Sequence, residues 1–174
     1  IDADTIYEVP LLMEKEKLDE VVLQKLNYSI KKAPDLKKWR SIVNTIKHSE
    51  KIIKVALVGK YVELPDAYKS INESLIHAGA ANDCRPKIEF VHSEGIDPDN
   101  VESKLAGFDG ILVAPGFGHR GIEGKIDAIK FARTKNIPFL GICLGMQCAV
   151  IEFARNILNL EDANSTEMYP NTPY

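Results

Sequence analysis

Short apolar runs alternate with stretches of helical periodicity from residue 51 onward. The apolar runs predict strands at 52–58, 87–92, 110–113 and 137–142. Apolar residues at helical spacing predict helices at 67–78, 101–105 and 122–134, with Asp66 as the N-cap of the first. Strands joined by helical crossovers predict an α/β fold, a mainly parallel sheet with helices on both faces. Ligands of such sheets bind at the carboxyl ends of the strands.

The first fifty residues have no strand pattern of this kind. Apolar side chains at helical spacing predict two short amphipathic helices, on Leu18, Val21, Val22 and Leu26 and on Leu36, Trp39, Val43 and Ile46. An apolar stretch at 6–13 precedes them, and we expect it to dock on structure outside this chain. We therefore predict that 1–50 is a tail and interdomain linker, followed by a domain at 51–174.

The run from Pro138 to Gln147 carries an apolar strand through Cys143 directly into a helical pattern. A side chain at such a sharp strand-to-helix turn projects into the opening at the end of the sheet. The crowded backbone there requires small neighbours, which Gly141 and Gly145 provide. The start of the following helix favours a thiolate. A buried structural cysteine is the alternative, but the paired glycines favour Cys143 as a nucleophile.

A glycine-rich loop follows the predicted strand at 110–113 and reads Ala-Pro-Gly-Phe-Gly-His-Arg-Gly. Glycine can adopt conformations that turn a backbone N–H towards a ligand, so Gly116 is a candidate oxyanion donor beside the N–H of Leu144. A tight turn without a ligand remains the alternative at this point.

Composition excludes several classes of function. The chain has 174 residues, 45% of them hydrophobic, and a net charge of -3, which gives no electrostatic case for nucleic-acid binding. No apolar run approaches the roughly 20 residues of a membrane span. The three cysteines lack paired metal-ligand spacing, and free thiols suit a reducing compartment. We expect a cytoplasmic protein that binds neither metal nor membrane through this chain.

The motif Gly-Ile-Cys-Leu-Gly-Met-Gln resembles the nucleophile motif of the class I glutamine amidotransferases. The resemblance implies a flavodoxin-like or Rossmann-like fold in which Cys143 forms a thioester with L-glutamine and ammonia is released. It also implies that Gly116 and Leu144 hold the oxyanion, while Gln147 and Glu167 help bind glutamine. The loop departs from the family pattern in one respect. It has Ala-Pro-Gly where Pro-Gly-Gly is expected, and Gly116 matches the second glycine.

Three segments, 6–12, 59–70 and 162–167, resemble the members of this family that aminate UTP to CTP. That resemblance implies a separate synthetase domain, absent from this chain, which would bind UTP, ATP and Mg²⁺ and form a homotetramer. It also implies GTP as an allosteric activator. No cofactor is expected in the part sequenced here.

A proton acceptor for the cysteine is not evident among the four histidines. Only His119 is predicted near the site, and we interpret it as a loop or effector contact. In the family the His and Glu partners follow the nucleophile at a distance that would lie beyond Tyr174. We therefore expect a fragment that is incomplete for catalysis alone. The alternatives are a free-standing γ-glutamyl or cysteine hydrolase and a non-catalytic regulatory or binding module of the same fold.

Overall fold

The computed structural model describes residues 2–29 and 32–174, so Ile1, Ile30 and Lys31 lie outside the described residues. Within these ranges the chain forms seven α-helices and four strands. They are α1 (Val9–Lys15), α2 (Leu18–Lys25), α3 (Lys37–His48), β1 (Ile52–Gly59), α4 (Lys69–Ala81), β2 (Arg85–His92), α5 (Val101–Leu105), β3 (Gly110–Val113), α6 (Ile122–Thr134), β4 (Phe139–Gly141) and α7 (Leu144–Asn156). In this described part no helix combines the length and apolar character needed to cross a membrane.

The four strands form one sheet in the order β2-β1-β3-β4. β1 pairs with β3 in parallel, and β3 pairs with β4 in parallel. The register places Val113 beside both Val58 and Gly141. The carboxyl ends of these three strands therefore lie side by side, and the loops that leave them start at one edge of the sheet.

Alternate residues of β1 and β3 enter two separate cores. Ala56 and Ile111 pack in the cluster that contains the buried residues of α5, α6 and α7. Leu57 and Leu112 pack in a second cluster, with Ile71 and Leu75 of α4 against it. Helices thus cover both faces of a mainly parallel sheet, which confirms the predicted fold class.

Several predicted bounds differ from those observed, most clearly those of α4 and β4. The helix predicted at 67–78 starts at Lys69, and Pro65–Tyr68 forms a 3-10 turn, so Asp66 is not its N-cap. The hydroxyl of buried Tyr68 accepts hydrogen bonds from the backbone N–H groups of Lys60 and Tyr61, both at 3.2 Å. This tertiary contact draws the turn back onto the end of β1. The strand predicted at 137–142 is also shorter and covers Phe139–Gly141.

The chain divides into two compact units, one of residues 1–51 with 77–85 and one of 52–76 with 86–174. In the first unit the stretch at 6–13 is helical, and Tyr7 within it contacts other residues of this unit. Trp39 Nε1 donates to the carbonyl of Tyr7 at 2.8 Å, and the Tyr7 hydroxyl lies 2.7 Å from His77 Nε2. Lys47 contacts both Asp4 and Glu8, and its hydrogen bonds hold the pKa of each carboxyl below its usual value.

A partly buried ion pair joins α6 to α7. Arg133 binds Glu152 through Nε and Nη2, with the shortest N–O distance at 2.7 Å, and the Glu152 side chain is 2% exposed. The carboxylate is therefore compensated by a guanidinium in a place that water hardly reaches. This pair fixes α7, the helix that follows Cys143, against α6.

Replacing Arg133 by Met should therefore destabilise the protein more than breaking an exposed pair of equal length. We expect Arg133→Met to lower the free energy of unfolding by about 2 to 3 kcal/mol, because Glu152 keeps its buried charge. Lys135→Met is the matched control. It breaks a 2.7 Å pair with Glu102 whose partners are both exposed, and it should cost less than about 1 kcal/mol. Urea unfolding at pH 7 measures both. Equal losses would show that burial of Glu152 does not matter.

Candidate active site

The turn between β4 and α7 holds Cys143 in an unusual backbone conformation. Its φ is 53° and its ψ is -109°, and its carbonyl accepts hydrogen bonds from the N–H groups of Met146 and Gln147 at 3.0 and 3.1 Å. Positive φ is uncommon for residues other than glycine and persists where the surrounding structure enforces it. The thiol is exposed. The sequence therefore builds a strained turn that presents one cysteine at the carboxyl edge of the sheet.

Two glycines make this turn possible by the absence of a side chain. A Cβ on Gly145 would stand 2.2 Å from the carbonyl oxygen of Val113, and a Cβ on Gly141 would stand 2.6 Å from the carbonyl group of Gly145. Both obstacles are backbone atoms, which cannot rotate away. The predicted crowding around Cys143 is therefore present in the structure.

The glycine loop leaves β3 beside this turn. A Cβ on Gly116 would lie 3.8 Å from Cδ2 of Leu144 and 3.0 Å from Cε of Lys60. The structure thus brings Gly116 and Leu144 together, as the oxyanion hypothesis requires. Gly116 has a φ of 158°, a backbone conformation that residues with a side chain rarely adopt, and the space beside it is also limited.

Gln147 and Glu167, the two predicted glutamine contacts, lie in different settings. Gln147 is in the first turns of α7, and its buried Oε1 has no hydrogen-bond partner among the described residues. Such an orphan acceptor is typical of a site that receives a ligand donor. Glu167 lies on an exposed turn, and in the described ranges no hydrogen bond or ion pair connects it to Cys143. It directly precedes Met168, which is buried in the core.

The three thiols differ in accessibility. Cys143 is exposed, Cys84 is half-buried and Cys148 is buried. Burial raises the pKa of the Cys148 thiol to about 11, so it stays protonated at neutral pH. Accessibility and backbone geometry therefore both single out Cys143.

Sequence reasoning did not identify two lysines that lie beside Gly116. Lys60 follows β1 and is 6% exposed, while Lys125 of α6 is fully buried with Nζ 3.8 Å from the Cβ position of Gly116. Lys125 Nζ donates to the carbonyl of Ala114 at 2.8 Å, and burial lowers its pKa to about 8. A signal existed in the sequence. Lys125 is three residues after Ile122 and four before Ile129, on the apolar face of α6.

The histidines take other roles in the described contacts. His77 meets Tyr7, His92 Nδ1 accepts from the N–H of Glu94 at 3.2 Å, and the rings of His119 and Tyr169 meet edge to face with centroids 5.8 Å apart. His48 ends α3. Among the described residues, none of these contacts places a histidine against Cys143.

A cleft of about 570 Å³ lies beside the segment that follows α7. Its lining includes Glu123, Arg155, Asn164 and Tyr169 but neither Cys143 nor Gly116. Cavity volume therefore does not mark the candidate site. The candidate site is marked instead by the strained backbone of Cys143 and by the glycine loop beside Leu144.

Because the turn is crowded, adding a single methyl group at Gly145 should lower the stability of the protein strongly. Gly145→Ala should destabilise the protein by roughly 3 kcal/mol or more, because the new Cβ meets the backbone of Val113. Gly110→Ala is the matched control, since its Cβ would meet only the Pro138 carbonyl at an ordinary 3.7 Å. Thermal melting of both variants checks this. Equal melting temperatures would contradict the packing argument.

Comparison with known proteins gives a family for this arrangement. Residues 63–171 match the family model described as glutamine amidotransferase class-I. This range includes the Gly116 loop and Cys143, and also Gln147 and Glu167, which the family resemblance implies as glutamine contacts.

Several relatives named CTP synthase match nearly the whole chain. The protein from Cytophaga hutchinsonii is 63% identical over 172 residues, covering 99% of this chain and 32% of the relative. The protein from Flavobacterium johnsoniae is 58% identical over 174 residues, covering 100% of this chain and 32% of the relative. The chain thus spans about a third of the length of these relatives.

A solved structure is also similar. It is described as the Trypanosoma brucei CTPS glutaminase domain with bound acivicin. It matches with a TM-score of 0.66 and 41% identity, over 70% of this chain and 48% of that chain.

Proposed function

The chain belongs to the class I glutamine amidotransferase family, and we propose that it is the glutaminase part of a CTP synthase, releasing ammonia from glutamine through Cys143. The observation that carries this proposal is the exposed cysteine at positive φ directly before a helix whose first residue, Leu144, lies beside the glycine loop. The likeness to a glutaminase domain with bound acivicin, a glutamine analogue, supports the choice of glutamine as substrate.

In the proposed reaction the Cys143 thiolate attacks the side-chain amide carbon of glutamine. A carbon–sulfur bond forms, the carbonyl becomes an oxyanion, and the carbon–nitrogen bond then breaks to release ammonia with an added proton. Water later hydrolyses the thioester to glutamate and restores the thiol. The exposed position of the thiol suits this attack, whereas buried Cys148 could not reach a substrate.

We assign the oxyanion to the N–H groups of Gly116 and Leu144. Leu144 is the first residue of α7, where backbone N–H groups have no helical acceptor one turn earlier. The Leu144 side chain lies 3.8 Å from the Cβ position of Gly116, so both residues border one small space. Donors fixed before the substrate arrives stabilise the developing charge without reorganisation.

We assign the amino-acid end of glutamine to Gln147 and Glu167. The unpartnered Oε1 of Gln147 can accept a hydrogen bond from a substrate N–H. Glu167 carries the charge that would pair with the α-ammonium group. Its exposed turn would have to face the bound substrate, and the buried Met168 next to it limits how far that turn can move.

The proton acceptor is proposed to be a histidine that the longer protein contributes. The relatives extend well beyond the matched third, and the described contacts of the four histidines here lie elsewhere. Thioester formation needs a group that takes the thiol proton and returns it to the leaving nitrogen.

The remaining assignments concern the whole protein. We propose that the ammonia aminates UTP to CTP in an ATP- and Mg²⁺-dependent synthetase domain, that GTP activates the enzyme, and that it is a cytoplasmic homotetramer. The names of the relatives support the reaction. In the described part of this chain no group of three His, Cys, Asp or Glu side chains could hold a metal ion.

A glutamine-like diazo-ketone should alkylate Cys143 in the full-length protein and leave Cys84 and Cys148 unlabelled. The reason is that only Cys143 combines exposure with the start of a helix. Peptide mass spectrometry gives the site of labelling. Labelling of all three thiols in the folded protein would contradict the assignment.

Cys143→Ser in the full-length protein should abolish glutamine-dependent CTP formation and leave ammonia-dependent CTP formation within about twofold of wild type. The two activities use separate sites, so only the first needs the thiol. Loss of both in a folded variant would argue against this division. Cys84→Ser is the control and should retain both.

Gly116→Ala should lower glutaminase turnover by roughly 10²- to 10³-fold, the usual effect of losing one oxyanion donor. The new Cβ would strain the backbone at a φ of 158° and would also press on Lys60 Cε at 3.0 Å. Ammonia-dependent synthesis at matched UTP and ATP should survive, with circular dichroism confirming the fold. Near-normal glutaminase activity would mean that the loop is only a turn.

A further inference from the structure

Lys125 is a buried cation that packing does not explain. Its side chain has no exposed surface, and among the described residues no carboxylate forms an ion pair with it. A methionine of similar length would fill the same space without the cost of burying a charge. The lysine therefore needs a polar role to explain its position.

The contacts of Lys125 show what that role is. Nζ donates to the carbonyl of Ala114 at 2.8 Å, and Ala114 immediately precedes Pro115 and Gly116. Pro115 has no N–H, so at that residue the loop cannot anchor itself through a backbone donor. The ammonium also lies 3.8 Å from the Cβ position of Gly116, on the loop that faces Leu144.

We propose that Lys125 is a positioning residue whose buried ammonium holds the Ala114 carbonyl and thereby fixes the Gly116 loop against the start of α7. Its effect on turnover rests on the proposed function of Gly116, whereas its effect on the loop does not. The bond is charge-assisted, and such bonds are stronger and shorter than neutral ones. The proposal makes the position of the loop depend on the charge of one side chain.

The charge of Lys125 should be sensitive to pH. Burial lowers its pKa to about 8. Lys60, from the loop after β1, also lowers this pKa, while Cys148 of α7 and Cys143 of the preceding turn raise it. The ammonium is therefore present below about pH 8 and lost above it, so the anchor should weaken as pH rises. The free energy of unfolding, in contrast, should rise with pH in this range. Between about pH 8 and the ordinary lysine pKa, the unfolded chain binds more protons than the folded one.

Chymotrypsin cleavage after Phe117 tests the proposal without using activity. Phe117 is 77% exposed in the loop, and cleavage after exposed Tyr28 gives an internal reference in the full-length protein. Lys125→Met should raise the Phe117-to-Tyr28 cleavage ratio about tenfold at pH 7, the effect of losing one charge-assisted hydrogen bond. In wild type the ratio should rise between pH 7 and pH 9, and in Lys125→Met it should stay high at both.

Lys130→Met is the control, because Lys130 lies on the same helix but is exposed, and it should behave as wild type. Lys125→Met should also lower glutaminase kcat roughly tenfold with KM nearly unchanged, while its urea midpoint does not fall.

A constant cleavage ratio in wild type from pH 7 to pH 9 would overturn the proposal even if the variant fails to fold. A Phe117-to-Tyr28 cleavage ratio in folded Lys125→Met equal to that of wild type would also overturn the proposal. If the ratio changes as expected but the diazo-ketone does not label Cys143, the loop anchor stands and the proposed function fails.

Discussion

The close contact between the start of α7 and the end of β3 is the constraint on which the site depends. With no side chain on Gly145, the helix backbone approaches the Val113 carbonyl so closely that even a methyl group would overlap it. Gly141 permits the same closeness on the other side of the turn. The residue between them, Cys143, adopts positive φ, and its side chain is exposed. The exposure of the Cys143 thiol is thus a consequence of backbone packing.

The parallel register turns this local arrangement into a site. Because Val58, Val113 and Gly141 are aligned, the segments that leave β1, β3 and β4 begin at one edge of the sheet, and Lys60 and Leu144 lie beside Gly116. The arrangement also places a buried lysine where it costs stability. The buried ammonium of Lys125 can donate a hydrogen bond to the Ala114 carbonyl, which an apolar side chain at this position could not do. Activity and stability therefore make opposite demands at residue 125.

The periodicity of apolar residues was sufficient to predict most helices and strands of the second unit. The bounds of α5, α6 and β3 agree with those predicted, because each has a clear apolar pattern and ends at turn residues. The predicted bounds are wrong where a contact with a residue distant in the sequence determines the local structure. The Tyr68 hydroxyl binds the backbone of Lys60 and Tyr61 and converts a predicted helical start into a 3-10 turn. Tyr7 likewise binds Trp39 and His77, which no local pattern in residues 6–13 indicated.

The sequence by itself determined the α/β class, the cysteine at the strand-to-helix turn and the need for glycine on either side of it. These features follow from the spacing of apolar residues and glycines along the sequence. Only the tertiary structure decided which groups meet Gly116, since Lys60, Leu144 and Lys125 come from three different elements. It also left the side-chain oxygen Oε1 of Gln147 buried with no hydrogen-bond partner among the described residues, and it kept Glu167 exposed on its turn. Burial and distance between remote residues arise from packing, and no spacing along the chain encodes them directly.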